Sequence, residues 1–386
     1  MTTARRRLRI AVLNRIFLST GGGAERYSMA LVEQLAQRHD IHVFAQAIDH
    51  CWPGVSYHRI SLPLARPRWI NQLWYATATW WATRRGFDLV HSHENTWHGL
   101  VQTVHVLPVK YNVFHGLAGW RLALRWITVL TSPRLLTYLA LERSRFSTRQ
   151  RRSIVAISST LLRHIACTYP ATAQRLELVT PGVALANGIP TLSQQLAARR
   201  RLGLPEGGKG ILFVGNDYRK KGLHAVIKAL ARLAQTAWVA VVGRGTNIDE
   251  IKVLVQRMGV ASRVFFLGVL DDVDDAYVAA DCLAHPTLED TFAMVVLEAL
   301  AHGLPVVVSC EAYCGISALL KHETNALILD QPHDEVALAD ALSRIFQEED
   351  LCAVLRPAAL EFAGHFQWSA MARQQEEIYF SALGSP

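Results

Sequence analysis

The chain has 386 residues, of which 51% are hydrophobic and 19% are charged, and this composition excludes an intrinsically disordered protein. The length exceeds what one small hydrophobic core supports, so we expect two domains. The net charge of +8 is unevenly distributed, because residues 1–182 carry 23 Lys and Arg against 8 Asp and Glu, whereas residues 183–386 carry 17 against 24. The basic first half therefore predicts an anionic partner, such as a membrane surface or a phosphorylated acceptor.

The termini and cysteines favour a soluble cytoplasmic protein. The apolar run that follows the basic N-terminus is interrupted by Asn14 and Arg15, which disfavours a signal peptide, and no run of 18 apolar residues follows. The six cysteines form no Cys-x-x-Cys pair and no cluster with histidine. We therefore predict reduced thiols and no metal site.

The chain begins with a strand, a glycine turn and a helix. Residues 8–13 are predicted as the strand, Gly21, Gly22 and Gly23 as the turn, and residues 24–37 as the helix. In this arrangement the N–H groups of a helix N-terminus can face a phosphate. The signal is weak by itself, because three glycines also serve ordinary turns and the spacing differs from that of a dinucleotide fold.

The next predicted strands end in histidines. Residues 88–91 form a buried strand that leads into His91, His93 and Glu94, and a second strand ends at His105. A His-x-His pair on a strand points to one face, but no third ligand accompanies it, so a metal is disfavoured. Histidines at strand ends of an α/β sheet more often line a crevice that binds a ligand.

Two segments of the first half combine tryptophan with arginine. Residues 70–85 predict an amphipathic helix, and residues 110–152 contain Trp120, Trp126 and several arginines. This combination suits a membrane interface, although a tryptophan-filled core with solvated arginines outside would show the same pattern. A nucleic-acid site is disfavoured, since no recognisable nucleic-acid-binding motif accompanies the charge.

The second half alternates strands and helices from Gly210 onward, which predicts a parallel sheet covered on both faces. Each half is thus predicted to be a doubly wound domain, with a ligand between them at the strand ends. The loop 216–221 places Arg219, Lys220 and Lys221 between a strand and a helix N-terminus. Such cations stabilise a diphosphate; a solvated basic loop is the alternative.

Residues 285–309 predict a loop, a short apolar helix from about Phe292 to Gly303, and a buried strand. Asp290 precedes this helix and Glu298 lies within it, where an acidic residue is unusual unless it binds something. An exposed-face glutamate is the alternative. If residues 290–298 were all helical, the two residues would be separated by about 12 Å. Paired carboxyls of a glycoside hydrolase lie only about 5–9.5 Å apart, so two contacts on one long ligand fit better.

Taken in order, these motifs resemble the retaining glycosyltransferases of family 4, which have the GT-B fold. The resemblance covers nearly the whole chain and rests on the glycine turn, His105, TPGV at 180–183, VGNDYRKKG at 214–222, and the Asp290-x7-Glu298 spacing. The segments 140–146, 211–223 and 285–306 look most like lipopolysaccharide core glucosyltransferases. Residues 366–380 are similar to the family's C-terminal helix.

The resemblance implies an α/β fold with two Rossmann-like, doubly wound domains that face an interdomain cleft. Residues 1–183 would be the acceptor-binding N-terminal domain and residues 184–362 the nucleotide-sugar-binding domain. Residues 363–386 would form a helix that crosses back to the first domain.

The resemblance also implies a site. Lys221, with Lys220 or Arg219, would bind the donor diphosphate, Glu298 the ribose, and Asp290 the hexose. His105 would lie beside the anomeric carbon, and Gly22 and Gly23 would close the donor site. Backbone N–H groups of Phe292, Ala293, Met294 and Val295 would contact the phosphate or sugar. The implied catalytic residues are His105, Lys220, Lys221 and Asp290, without a metal or a required cofactor. Asp290 and Ala293 depart from the family, which usually has Glu and Gly there.

The implied function is transfer of a hexose, with retention, from a nucleotide diphosphate sugar, with UDP favoured. The acceptor would be a phosphorylated glycolipid, lipopolysaccharide core or cell-surface polysaccharide. The protein would work in the cytoplasm at the inner face of the membrane, bound to anionic lipid through its basic domain. The alternatives are a GT-B nucleotide-sugar epimerase and a non-catalytic, membrane-docked protein that binds sugar nucleotides.

Overall fold

The computed structural model describes residues 6–18, 21–64, 66–147, 152–245 and 247–384. The chain divides into two compact units: unit 1 comprises Met1–Gly182 and Trp368–Pro386, and unit 2 comprises Val183–Gln367. The strands are β1 Arg9–Leu13, β2 Ile16–Phe17, β3 Asp40–Ala45, β4 Ala47–Ile48, β5 Val55–Arg59, β6 Leu89–Ser92, β7 Val101–Val104, β8 Ser153–Ala156, β9 Leu176–Leu178, β10 Gly210–Val214, β11 Trp238–Val242, β12 Val264–Gly268, β13 Cys282–His285, β14 Val306–Ser309 and β15 Leu327–Leu329. The α-helices are α1 Gly23–Ala36, α2 Arg68–Thr83, α3 Val109–Phe114, α4 Gly119–Leu130, α5 Pro133–Arg145, α6 Ser159–Thr168, α7 Leu192–Arg201, α8 Leu223–Arg232, α9 Ile248–Arg257, α10 Asp274–Ala279, α11 Met294–Ala301, α12 Glu335–Gln347, α13 Glu349–Gly364 and α14 Trp368–Leu383.

Unit 1 contains a seven-stranded sheet in the order β5-β3-β1-β6-β7-β8-β9. All of its strand pairs are parallel, and the interior strand β1 is buried from Ile10 onward. The chain runs outward from β1 in one direction through β3 and in the other through β6. The carboxyl ends of β1 and β6 therefore form the point where the strand order reverses, and such a point is where open α/β sheets bind ligands.

Unit 2 repeats this plan with six parallel strands in the order β12-β11-β10-β13-β14-β15. Strands β11 and β14 are buried along their whole length, as expected for parallel strands covered by helices on both faces. Helix α8 packs Leu223, Val226 and Ile227 into the core. The order reverses between β10 and β13, so their carboxyl ends form the corresponding point of this unit. The predicted doubly wound α/β architecture is confirmed.

The C-terminal helix α14 packs on α1 and belongs to unit 1. Its Tyr379 hydroxyl lies 2.6 Å from His91 Nδ1, which ties the helix to the end of β6. Helix α13 continues to Gly364, and Gln367 pairs with Val183 within unit 2. The division between units therefore falls before Trp368.

Candidate functional site

Two loops meet at the point of unit 2 where the strand order reverses. The loop 215–222 follows β10, and the loop 286–293 follows β13. Lys220 O accepts hydrogen bonds from Leu288 N (2.8 Å) and Thr287 Oγ1 (3.2 Å). Gly222 has a φ of +84°, and a Cβ at this position would lie 1.9 Å from Pro286 O, so a side chain would force the loops apart.

Asp290 is the centre of this arrangement. Its Oδ2 accepts hydrogen bonds from Lys221 Nζ at 2.5 Å and from His285 Nε2 at 3.2 Å. Its Oδ1 accepts hydrogen bonds from Ala293 N at 2.8 Å and Phe292 N at 3.3 Å. Four donors from two loops and a strand end therefore hold one carboxylate, and they bring the sequence-predicted Lys221 and Asp290 into contact.

The electrostatics of this cluster keep Asp290 ionised. Burial alone would raise the pKa of Asp290, but the hydrogen bond from His285 and the charge of Lys221 outweigh it and hold the pKa well below its ordinary value. Burial lowers the pKa of His285, and Asp290 only partly offsets this. His285 is thus neutral and donates its Nε2–H, while Lys221 supplies the positive charge of the pair.

The other predicted cations lie nearer the solvent. Lys220 Nζ contacts Glu289 Oε1 at 2.7 Å, and both side chains are 42% exposed, so solvent screens this pair. Arg219 is exposed and forms no ion pair with any residue in the described ranges. An ammonium has three donors. Lys221 uses two of them, on Asp290 and on Glu289 O at 3.4 Å, which leaves one N–H for a ligand.

Glu298 lies on α11 and is only partly exposed, with its Oε2 accepting a hydrogen bond from the Tyr277 hydroxyl at 2.6 Å. Tyr277 stacks on His302 with ring centroids 5.0 Å apart, and His302 Nδ1–H donates to Glu298 O. The carboxylate is therefore positioned by neighbours rather than lying free on the helix surface.

The start of α11 differs from the expected Phe292. The N–H groups of Phe292 and Ala293 donate to Asp290, so the protein itself uses two of the four N–H groups expected to contact the donor. Ala293 adopts the left-handed conformation with a φ of +69°, and the helix begins at Met294. Met294 and Val295 retain the first-turn N–H groups that lack intrahelical acceptors. The separation of about 12 Å expected between Asp290 and Glu298 assumed a helix from residue 290 and therefore does not apply.

The remaining predicted residues lie in unit 1. Gly22 precedes the first turn of α1 and Gly23 begins it. His105 follows β7 and is buried, with its Nε2 2.9 Å from His93 Nδ1. Burial lowers the pKa of His105 to about 3, so the ring is neutral. The rings of His91 and His93 are tilted against each other with centroids 4.3 Å apart, and His91 contacts Thr103 and Tyr379.

Two residues of the site carry no prediction from the sequence. His285 ends β13, so the strand-end rule applied to His91 and His105 could have found it. Tyr277 belongs to a six-residue helix with no distinctive spacing, and nothing in the sequence connects it with Glu298.

Two protein-family models match consecutive parts of the chain. The model described as Glycosyltransferase Family 4 matches residues 21–187, and the model described as Glycosyl transferases group 1 matches residues 194–362. The chain thus consists of a glycosyltransferase family 4 domain followed by a glycosyl transferases group 1 domain. The second match contains the Lys221–Asp290 pair and Glu298.

Curated relatives and solved structures agree with this assignment. The D-inositol 3-phosphate glycosyltransferase of Salinispora arenicola is 34% identical over 235 residues, or 56% of this chain and 52% of the relative. The enzyme of that name from Corynebacterium diphtheriae is 27% identical over 74% of each chain. The chain thus spans about half the length of the first of these relatives.

Among solved structures, WaaG, a glycosyltransferase involved in lipopolysaccharide biosynthesis, aligns with a TM-score of 0.83, 21% identity and coverage of 96% and 99% of the two chains. HepE of Anabaena, in complex with UDP-glucose, aligns with a TM-score of 0.77, 18% identity and coverage of 97% and 100%. These likenesses confirm the predicted GT-B fold.

Proposed function

We propose that this protein transfers a hexose, with retention at the anomeric carbon, from a nucleotide diphosphate sugar to a sugar-containing acceptor. The observation that carries the proposal is the Lys221–Asp290 pair at the carboxyl ends of β10 and β13. Helix α8 begins directly after Lys221, so its N-terminal N–H groups and the lysine favour the same anionic group. A leaving diphosphate is the ligand that uses both.

In the proposed reaction, the bond between the anomeric carbon and the diphosphate oxygen breaks. The acceptor oxygen forms its bond on the same face, and the departing phosphate takes the acceptor proton. Lys221, assisted by Lys220 and Arg219, stabilises the charge that develops on the diphosphate.

Glu298 accepts hydrogen bonds from the ribose hydroxyl groups. A hexose hydroxyl binds Asp290 by replacing one of the four donors that its carboxylate now has. Tyr277 positions Glu298 through the 2.6 Å hydrogen bond. The roles inferred for Gly22, Gly23 and His105 stay predictions.

The favoured donor is a UDP-hexose, because the similar Anabaena structures were solved with UDP and UDP-glucose. The test is a panel of UDP-, GDP- and ADP-hexoses in which released nucleotide diphosphate and the anomer of the product are measured. We expect transfer from a UDP-hexose with retained configuration. Inversion, or the absence of transfer from every donor, would overturn the proposal, and an epimerised free sugar would identify an epimerase instead.

A Lys221→Ala variant tests the residue that carries the mechanism. Loss of one preorganised donor at a developing anion costs about 10²–10³ in kcat, and we expect a loss of this size. Lys228→Ala is the matched control, since Lys228 lies on α8 and only approaches Glu335 at 4.0 Å. Equal turnover of the two variants would contradict the role of Lys221.

The proposed acceptor is a phosphorylated glycolipid of the lipopolysaccharide-core type. The excess of basic residues in residues 1–182 and the likeness to WaaG support this class. The relatives named for D-inositol 3-phosphate support a phosphorylated acceptor as well. A glycolipid acceptor would require the protein to reach a membrane surface.

Helix α4 supplies such a surface. It exposes five large apolar side chains, while Arg121 and Arg125 lie on the same helix and are also solvent-accessible. The five are Trp120, Leu124, Trp126, Ile127 and Leu130. The alternative of a tryptophan-filled core is therefore wrong for α4. No helix in the described part of the chain is long and apolar enough to cross a bilayer. An apolar face with arginines suits a helix that lies in the interface of an anionic membrane.

Vesicle sedimentation tests this partner. We expect binding to vesicles that contain anionic lipid, and at least tenfold weaker binding after Trp120→Ser with Trp126→Ser. Val253→Ser is the control, because Val253 is a similarly exposed apolar residue of unit 2. Unchanged binding of the double variant would exclude α4 as the contact.

A further inference from the structure

Unit 1 contains a cavity of about 280 Å³ at the carboxyl ends of β1, β6 and β7. Its lining includes Glu25 after β1 and the consecutive residues His93, Glu94 and Asn95 after β6. Helix α5 contributes Glu142 and Arg145. The cavity therefore lies where the strand order of unit 1 reverses, which is the position that binds ligands in open α/β sheets.

Three polar atoms of this lining need a partner. His93 Nε2, Asn95 Oδ1 and Arg145 Nε are buried and have no hydrogen-bond partner among the residues that the structure describes. His93 is 8% exposed and Arg145 is 6% exposed. Buried polar groups are rarely left unpaired in folded proteins, so several of them around one cavity indicate a polar ligand. Asn95 Oδ1 can only accept a hydrogen bond and Arg145 Nε can only donate one.

The charges of the lining identify the kind of ligand. Three carboxylates, from Glu25, Glu94 and Glu142, face a single guanidinium, that of Arg145. Arg145 already donates to Thr103 O at 2.5 Å. Burial raises the pKa of Glu94, and Arg15, which lies outside the lining and donates its backbone N–H to Glu94 Oε1, partly offsets this rise. The lining is thus acidic, although unit 1 as a whole is basic.

We propose that this cavity binds an uncharged sugar unit of the acceptor through its hydroxyl groups and excludes a phosphate ester at that position. Each hydroxyl both donates and accepts, so a sugar can satisfy Asn95 Oδ1, Arg145 Nε and lone pairs of Glu25 and Glu94. Glu142 already accepts hydrogen bonds from Val109 N, Lys110 N and the Tyr169 hydroxyl. A phosphate is negatively charged and would be repelled by the nearby carboxylates. The volume lies just below the range of about 300–1,000 Å³ for ligand pockets, which suits one sugar ring.

The inference rests on the proposed function and narrows its acceptor. A phosphate group of the glycolipid would lie outside the cavity, where unit 1 exposes arginines such as Arg121 and Arg125. The cavity also distinguishes this chain from a protein that encloses an inositol phosphate, although its curated relatives are named for that compound.

Ligand-observed NMR tests the proposal with the full chain and without donor. The probes are methyl hexosides of gluco, galacto and manno configuration and their phosphate monoesters. We expect at least one hexoside to bind at least tenfold more tightly than its phosphate ester. Asn95→Ala should weaken hexoside binding, and Glu94→Gln should reduce the discrimination to less than threefold. Glu25→Gln provides a second variant should Glu94→Gln fail to fold.

Glu177→Gln is the matched control, because Glu177 is an exposed residue of the same unit. Equal or tighter binding of the phosphate ester would overturn the inference, as would the absence of hexoside binding or variants that leave both affinities unchanged. UDP binding, followed by thermal shift in parallel, reports on the nucleotide site of unit 2. Absence of UDP binding would contradict the proposed function. UDP binding without hexoside binding would contradict only the assignment of the cavity.

Discussion

The two units have the same strand order around β1 and β10, the first strand of each sheet along the chain. They differ in how their buried polar groups are paired. In unit 2, Asp290 is held by four hydrogen-bond donors, and its pKa is lowered by its partners. In unit 1, burial dominates, and it lowers the pKa of His91 and His105 to about 3. In the described ranges, the buried polar atoms without a partner also concentrate in unit 1, whereas His285 Nδ1 is the example in unit 2.

Under the two proposals, the same topology binds two kinds of ligand. Unit 2 places the Lys221–Asp290 ion pair at the reversal point, and we propose that this pair binds an anion. Unit 1 places carboxylates and neutral histidines at the equivalent point, where His93 Nε2 and Asn95 Oδ1 have no hydrogen-bond partner among the described residues. The loops that follow the strands cause the difference, since the sheets themselves correspond.

The largest expected effect breaks the pair in unit 2. Asp290→Ala leaves Lys221 without its carboxylate and removes the acceptor of two backbone N–H groups. We expect unit 2 to lose about 3 kcal/mol of its free energy of unfolding. This is the lower end for a broken buried pair, because Lys221 keeps 22% exposure and can turn toward water. Urea unfolding followed by Trp238 fluorescence, in a variant lacking the other tryptophans, measures the change.

Glu289→Gln is the control for that experiment. Glu289 is the neighbour of Asp290 and pairs with Lys220 at 2.7 Å, but it is 42% exposed. A screened surface pair contributes about 0–1 kcal/mol, so this variant should unfold almost as the wild type does. Similar losses in both variants would remove the distinction between a buried and a surface pair.

The next effect separates the units by pH. The folded-state pKa values of His91 and His105 are about 3 and that of His98 is about 4, whereas an unfolded histidine titrates near 6.5. The unfolded state therefore binds more protons below pH 6.5, so stability is highest above that pH and falls as the pH decreases toward the folded values. At pH 5 each of these histidines contributes a loss of about 2 kcal/mol.

We expect unit 1 to unfold first on acidification. In unit 2, His285 acts in the same direction, but the low pKa of Asp290 maintains its stabilising contribution until the pH falls below about 4. Hydrogen exchange resolved by unit measures the order. His98→Gln should lower the acid midpoint of unit 1, whereas His333→Gln should leave it unchanged, since His333 is exposed. Simultaneous unfolding of both units would contradict the comparison.

The smallest effect concerns the backbone at Ala293. An L-residue in the left-handed region costs about 1–2 kcal/mol, and glycine avoids this cost at the expense of greater unfolded-state entropy. Ala293→Gly should therefore stabilise unit 2 by about 0.5–1 kcal/mol. Ala299→Gly, within the same helix, should instead destabilise it by about 1 kcal/mol. Thermal denaturation of the two variants gives the signs, and destabilisation by Ala293→Gly would show that the φ of +69° is not strained.

The sequence alone specified the fold class and pointed to the residues that are proposed for the donor site. Alternating apolar strands and helices specify parallel sheets through local patterning. The cations of the loop 216–221 are evident from its composition alone. Asp290 and Glu298 also lie within one short segment, so both can be identified from the sequence.

Only the tertiary structure decided which groups meet. Lys221 and Asp290 are 69 positions apart, and they touch because β10 and β13 are neighbours in the sheet. The partnership of Tyr277 with Glu298, the acidic cavity of unit 1 and the exposure of α4 depend in the same way on packing between distant elements. The physical reason is that hydrogen bonding, burial and the resulting pKa values are properties of neighbours in space, which the order of residues does not specify locally.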